Sequence, residues 1–139
     1  MGIVVDSSLF IASERERFNL GGFLAAHHTD LFFIAAITAS ELLHGCVRAT
    51  DANVRSRRVH FVESVLQNYA MLPFALAEAR EHAGLWAELE GRGQSIGERD
   101  LQIAATANAH GHAVATLNRR EFERVPRIIL VETPRDALA

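Results

Sequence analysis

A three-layer α/β/α sandwich around a central, mainly parallel sheet is the fold this sequence predicts. Short apolar runs recur at 2–5, 31–36, 69–74, 112–116 and 128–131. Most lack the polar–apolar alternation of a half-solvated strand, as expected for strands covered on both faces. Amphipathic helical stretches separate the runs, and alternating strands and helices imply right-handed crossovers. The 139 residues contain no repeat, low-complexity tract or Pro/Gly/Ser-rich linker, so the chain reads as one domain spanning 1–139.

The elements follow in order. Ile3-Val4-Val5 forms the first strand, and Asp6-Ser7-Ser8 precedes a helix starting near Leu9. Read locally, Asp6 caps that helix. The second run leads through Phe32–Ser40 to Glu41, placed in the first turn of the next helix, where a negative charge suits the helix dipole. Gly45, one turn later, costs about 1 kcal/mol relative to alanine inside a helix, which points to a close approach there. Residues 54–69 set Val54, Phe61, Val62, Val65, Leu66 and Tyr69 on one face; residues 75–90 do the same with Leu76, Ala79, Ala83, Trp86 and Leu89. Ser95-Ile96-Gly97-Glu98 has the pattern of a capping box for a helix running to about Ala109, with Gly111 as its terminator. On that helix Asp100 shares a face with Ile103, Ala104 and Ala107.

Composition removes several chemistries. The net charge of −3 is not that of a protein coating nucleic acid by bulk electrostatics. All 14 basic residues are arginine, which excludes a Walker A lysine and any Schiff-base lysine. Arginine forks still bind phosphate well, so nucleic-acid contact stays open. The single cysteine, Cys46, allows neither an internal disulfide nor a thiolate cluster for zinc. Leu31–Ala39 is too short to cross a bilayer, Asp6 breaks the myristoylation pattern after Met1-Gly2, and no basic-then-apolar leader precedes the first strand. The expected location is the cytoplasm.

Asp6, Glu41 and Asp100 each stand where apolar sequence meets a strand end or helix start. An unpaired charge against the core is costly, so such acids are paired, protonated or bound to a cation. Thr116, Asn118 and Glu121 form a further polar cluster after the fourth strand. Each has a bland reading: a cap for Asp6, a dipole-satisfying acid for Glu41, a first-turn acid for Asp100, an Asx-type turn for the rest. Their joint placement at carboxyl ends of parallel strands, where such sheets bind ligands, favours one shared site. Hard oxygen ligands favour Mg²⁺, with Mn²⁺ the alternative, over Zn²⁺. Such a site activates water for in-line attack on a phosphodiester. Arg92, Arg99, Arg119 and Arg120 flank it in sequence as phosphate-holding candidates. His27-His28 and His110-x-His112 lack helical metal spacing and read as surface or turn residues.

These residues resemble the PIN-domain family. Val4–Ser8 and Ile37–Gly45 look like its first two motifs, Gly97–Ala107 like the third and Ala115–Phe122 like the fourth, in order over nearly the whole chain. The length is that of single-domain VapC toxins. The resemblance implies a metal-dependent endoribonuclease, leaving a 5′-phosphate and a 3′-hydroxyl, that inhibits growth as the toxin of a type II toxin–antitoxin pair. Asp6 and Asp100 then match the principal metal-binding acids, Glu41 a nearby ligand or water-orienting acid, and Thr116 the active-site threonine. Asn118 departs from the pattern, standing where many members carry aspartate, with Glu121 at a position often acidic; one metal ion is then the safer expectation than two. The family implies an RNA substrate such as tRNA or rRNA, a homodimer, and a VapB-type antitoxin whose tail crosses the active-site groove. Phe10, Ile11, Phe18, Leu20, Phe23 and Leu24 could furnish part of that groove or pack the first helices. The rival readings are a non-catalytic PIN-like module binding RNA or protein, and a metal phosphoesterase acting on DNA. A receiver-type phosphoacceptor domain is disfavoured by the missing lysine and the missing early acid pair.

Overall fold

The strands are short because each only has to span a small sheet between two helical layers. The computed structural model describes residues 1–133. In chain order the elements are β1 (Gly2–Val5), α1 (Ser7–Glu14), α2 (Leu20–Ala26), β2 (Leu31–Ala35), α3 (Ala36–Arg48), α4 (Ala52–Asn68), β3 (Ala70–Leu72), α5 (Leu76–Gly91), α6 (Glu98–His110), β4 (Ala113–Ala115) and α7 (Arg119–Phe122). All four strands pair in parallel, in the order β3-β2-β1-β4.

The sheet divides two cores. On β1, Ile3 and Val5 point into one with Leu9, Phe10, Phe23, Val62 and Val65; Val4 points into the other with Leu85, Leu89, Ile103, Val114 and Phe122. Strict alternation of side chains across a strand produces this split, and both faces are covered, so no polar stripe survives in β1. The three-layer α/β/α architecture is as expected. Gly2 starts β1 because a Cβ there would lie 2.5 Å from the ring of His112, which stacks on Phe33 with 4.8 Å between centroids.

Several local expectations give way. The run 128–131 makes one bridge, Val114 to Leu130, rather than a strand, although Val114 N–H donates to Ile129 O and Val131 N–H to Val114 O. Arg127, at a φ of 64°, turns the chain just before this run. On α5 the buried face is Glu78, Leu85 and Leu89, whereas Leu76 and Trp86 are exposed. The Ser95–Glu98 capping box does not form: Gly97 is the N-cap, and the Glu98 carboxylate instead meets His82 and Gln102. Gly111 does end α6, at a φ of 67° that favours glycine.

Candidate metal centre

Asp6 follows directly on β1, at the carboxyl edge of the sheet, and is 3% exposed. It occupies the N-cap position of α1 but caps nothing with its side chain. Its Oδ2 instead accepts from the hydroxyls of Ser8 at 2.6 Å and Thr116 at 2.7 Å. Adjacent pairing of β1 and β4 brings Thr116 there, since Asp6 N–H donates to Ala115 O at 2.9 Å. Ser8 ties the same two loops a second time by accepting from Leu117 N–H at 3.0 Å.

The network continues outward. Asn118 N–H donates to Thr116 Oγ1 at 2.9 Å, and Asn118 Nδ2 donates to Asp100 Oδ2 at 2.8 Å. Asp100 lies in the first turn of α6, whose Ile103, Ala104 and Ala107 are fully buried, so the helix is fixed by its apolar face. Glu41 approaches from α3. It accepts from Ser7 Oγ at 3.3 Å and pairs with Arg99 at 3.5 Å. Because α3 begins at Ala36, Glu41 sits in its second turn rather than its first, so the helix dipole is not what holds it.

These acids push on one another. Asp100 is raised to about 6, first by burial and then by the charge of Asp6, with Glu121 adding to the push; Asn118 and Arg99 oppose it. Glu41 is raised as well, first by burial and then by Asp6, with Asp100 adding to it and Ser7 and Arg99 working the other way. The structure thus joins Asp6, Thr116, Asn118 and Asp100 through hydrogen bonds, and couples Glu41 and Glu121 to them through charge. Among the described residues, no arginine, histidine or terminal amine forms an ion pair with Asp6 or Asp100.

A buried anion with two hydroxyl donors and no cationic partner fits a bound cation, and the donors are all hard oxygens. Among the described residues, no three His, Cys, Asp or Glu side chains stand ready-made as a cage.

The flanking arginines were only partly where the sequence put them. Arg99 reaches the site, but Arg119 is used internally, donating to Val131 O at 2.8 Å and pairing with Glu132 at 3.6 Å. Arg92 pairs on the surface with Glu88 at 3.8 Å. A groove of about 470 Å³ opens beside Glu41 and Arg99 and is walled by α1, α3 and α4. Its basic residues Arg15, Arg48 and Arg58 come from distant segments, and no local signal marked them. Of the six apolar residues proposed for a groove, only Phe10 and Ile11 line it; Phe18 and Phe23 are core residues, 4% exposed. The close approach at Gly45 is the Arg58 stem, 3.8 Å from where a Cβ would stand, which is ordinary contact.

The PIN domain family model matches residues 3–128. A Ribonuclease VapC of Rickettsia bellii is 35% identical over 96% of this chain and 98% of the relative. The chain belongs to the PIN-domain VapC ribonucleases. The tRNA(fMet)-specific endonuclease VapC of Salmonella typhimurium is 34% identical over 82% of this chain and 79% of its own length. Among solved structures, DNA-bound VapBC from Salmonella typhimurium superposes with a TM-score of 0.84 at 25% identity, over 94% of this chain and 97% of that one. Membership of the VapC group makes the chain a phosphodiester-cleaving hydrolase, which rules against a non-catalytic binding module.

Proposed function

We propose that this VapC ribonuclease is an Mg²⁺-dependent endoribonuclease, the toxin of a type II toxin–antitoxin pair, with its centre at Asp6, Glu41 and Asp100. One observation carries the assignment: Asp6 is buried, hydroxyl-bonded on one oxygen and, among the described residues, without a cationic partner, yet it faces two further acids. Nothing in ordinary folding favours that arrangement, and a divalent ion relieves it.

Asp6 and Asp100 would hold the ion, with Glu41 binding it directly or orienting a water. Bound Mg²⁺ supplies charge neutralisation at the phosphoryl oxygens and lowers the pKa of an attacking water. Ser8 and Thr116 fix the rotamer of Asp6, and Asn118 aims Asp100, which is the outer-shell support a metal ligand needs. Asn118 takes the fourth corner as a hydrogen-bond donor, and Glu121 contributes negative charge felt at Asp100.

The substrate is RNA, as the names of the Rickettsia and Salmonella relatives suggest. The controlling partner is a VapB-type antitoxin, by analogy with the Salmonella VapBC assembly. A homodimer within that assembly and a cytoplasmic location complete the reading. Among the described residues, no helix is long and apolar enough to cross a membrane.

The test compares wild type with Asp6→Asn and Asp100→Asn on total RNA, with Mg²⁺ and with EDTA. Cleavage by wild type alone, abolished by EDTA, is expected. Equal cleavage by all three proteins would sink the mechanism, and cleavage of DNA in preference to RNA would overturn the substrate.

A further inference from the structure

We infer that single-stranded RNA enters the site along one side only, through a trough between α1, α3 and α4 whose phosphate contacts are Arg48, Arg15 and Arg57. The inference rests on the ribonuclease reading and extends it to how the substrate is held. The 470 Å³ groove has Glu41 and Arg99 at one end. A second recess continues it, sharing Glu14, Arg15, Arg58 and Phe61 and reaching Arg57 and Val54. The two together form one path leading away from the carboxylates.

The path is basic in a chain that is acidic overall. Five arginines line it against three glutamates, Glu14, Glu16 and Glu41. Two of those acids are already engaged: Glu14 pairs with Arg58 at 2.7 Å, and Glu41 with Arg99 at 3.5 Å. The remaining field is therefore positive.

The arginines of this region fall into two groups. Arg58 is a strut, donating from Nε to Glu14 and from Nη1 to Gly45 O at 3.1 Å. Arg55 likewise closes the end of α3, donating to Ala49 O at 2.9 Å. Arg15, Arg48 and Arg57 are exposed, and among the described residues they have no side-chain partner. Ordinary surface arginines would be scattered; these three line one path that Glu41, of the three candidate metal acids, also lines. A guanidinium with all its donors free is suited to a phosphate, and exposed Ile11 with half-buried Phe61 gives unstacked bases an apolar surface. A paired duplex offers no such bases, so the occupant is a single strand.

On the side of Asn118 and Glu121, Arg120 is exposed and has no side-chain partner among the described residues, but it stands alone there. Arg119 is tied to Val131 and Glu132, and Arg124 donates to Ser95 O at 3.2 Å. The footprint is therefore lopsided about the scissile bond.

The experiment measures binding of an end-labelled single-stranded RNA oligonucleotide by anisotropy, as a function of salt, and its cleavage with Mg²⁺. Arg15→Gln, Arg48→Gln and Arg57→Gln are compared with wild type and with Arg80→Gln on α5. Each trough variant is expected to weaken binding several-fold and to flatten the slope of log K against log salt by about 0.7, the share of one phosphate on a single strand. KM rises with little change in kcat, and Arg80→Gln does nothing. Shortening the RNA on one side of the cleavage point raises KM, whereas shortening the other side does not. An unchanged slope in all three variants, or equal loss from trimming either end, would overturn the trough. If the variants keep RNA binding but lose affinity for a VapB-type antitoxin, the trough is a protein interface and the inference fails. Loss of cleavage by wild type would instead defeat the ribonuclease reading, while the binding arm still decides the trough.

Discussion

Thr116 Oγ1 donates to Asp6 Oδ2 at 2.7 Å, linking residues 110 apart in the chain at the carboxyl edge of β1 and β4. Thr116 is fully buried and also accepts from Asn118 N–H, so one hydroxyl fixes a candidate metal ligand and the loop whose Asn118 bonds another, Asp100. Thr116→Val keeps the shape and removes both bonds. Cleavage should fall roughly 10–100-fold with a weaker apparent Mg²⁺ affinity, the usual cost of losing outer-shell support, and Thr116→Ser should recover most of it. A valine variant with wild-type Mg²⁺ titration would show that Asp6 needs no such tether.

The pH profile follows from Asp100, raised to about 6 mainly by burial and by Asp6. Protonated, it is a poor metal ligand. At limiting Mg²⁺, activity should climb with pH and level off above about 6, with Glu41, raised for the same reasons, steepening the acid side; more Mg²⁺ competes with the proton and moves the rise to lower pH. A flat profile across roughly pH 5 to 8 would contradict the coupling of these acids.

Stability runs the other way. A carboxyl whose folded pKa lies above its unfolded value binds its proton more tightly when folded. The stability it confers is present below the ordinary value of 3.8 and is lost as pH rises through about 6. In metal-free buffer, Asp100→Asn should therefore melt above wild type near neutral pH, with the gap closing toward acid. Added Mg²⁺ should stabilise wild type and not the variant. A variant melting below wild type at neutral pH would mean that the acid is otherwise satisfied.

Glu78 behaves in the opposite sense. It is 3% exposed, accepts from Ala75 N–H at 2.8 Å, and pairs with His110 at 3.0 Å, so it joins the start of α5 to the end of α6. The backbone bond chiefly holds its carboxyl below the usual range. Its stabilisation is present above the ordinary carboxylate pKa and lost as pH falls through the folded one. Glu78→Gln should lower Tm at neutral pH, with the deficit shrinking in acid and cleavage retained. Parallel melting curves at every pH would exclude the Glu78 carboxylate and its hydrogen bonds as a source of stability.

Thr38 is fully buried in α3, and its hydroxyl finds no partner among the described residues. An unsatisfied buried hydroxyl costs about 1–3 kcal/mol, so Thr38→Val should raise Tm measurably by calorimetry. A lower Tm would indicate a partner for that hydroxyl.

How much of this the sequence carried varies by residue. The runs around Val4, Ile34 and Val114 predicted strands because burial leaves uninterrupted apolar residues; the run around Met71 also forms one, although this edge strand is largely exposed, and the run 128–131 does not. Glu41 and the face of Trp86 were misplaced, because the start of α3 and the packing of α5 depend on neighbours distant in sequence. The Ser95–Glu98 pattern failed for the same reason: His82, from another helix, takes the glutamate.

By itself the sequence determined the alternation of parallel strands and helices, the absence of lysine and of a thiolate cluster, and the acids Asp6, Glu41 and Asp100 as candidates beside apolar segments, since these follow from local pattern and composition. Only the tertiary structure decided that Asp6 is a tethered, unpaired anion rather than a cap, and which arginines are struts and which are free. Those depend on contacts such as Asp6 to Thr116 and Glu14 to Arg58, between groups far apart in the chain, and their strength is set by the water that folding removes.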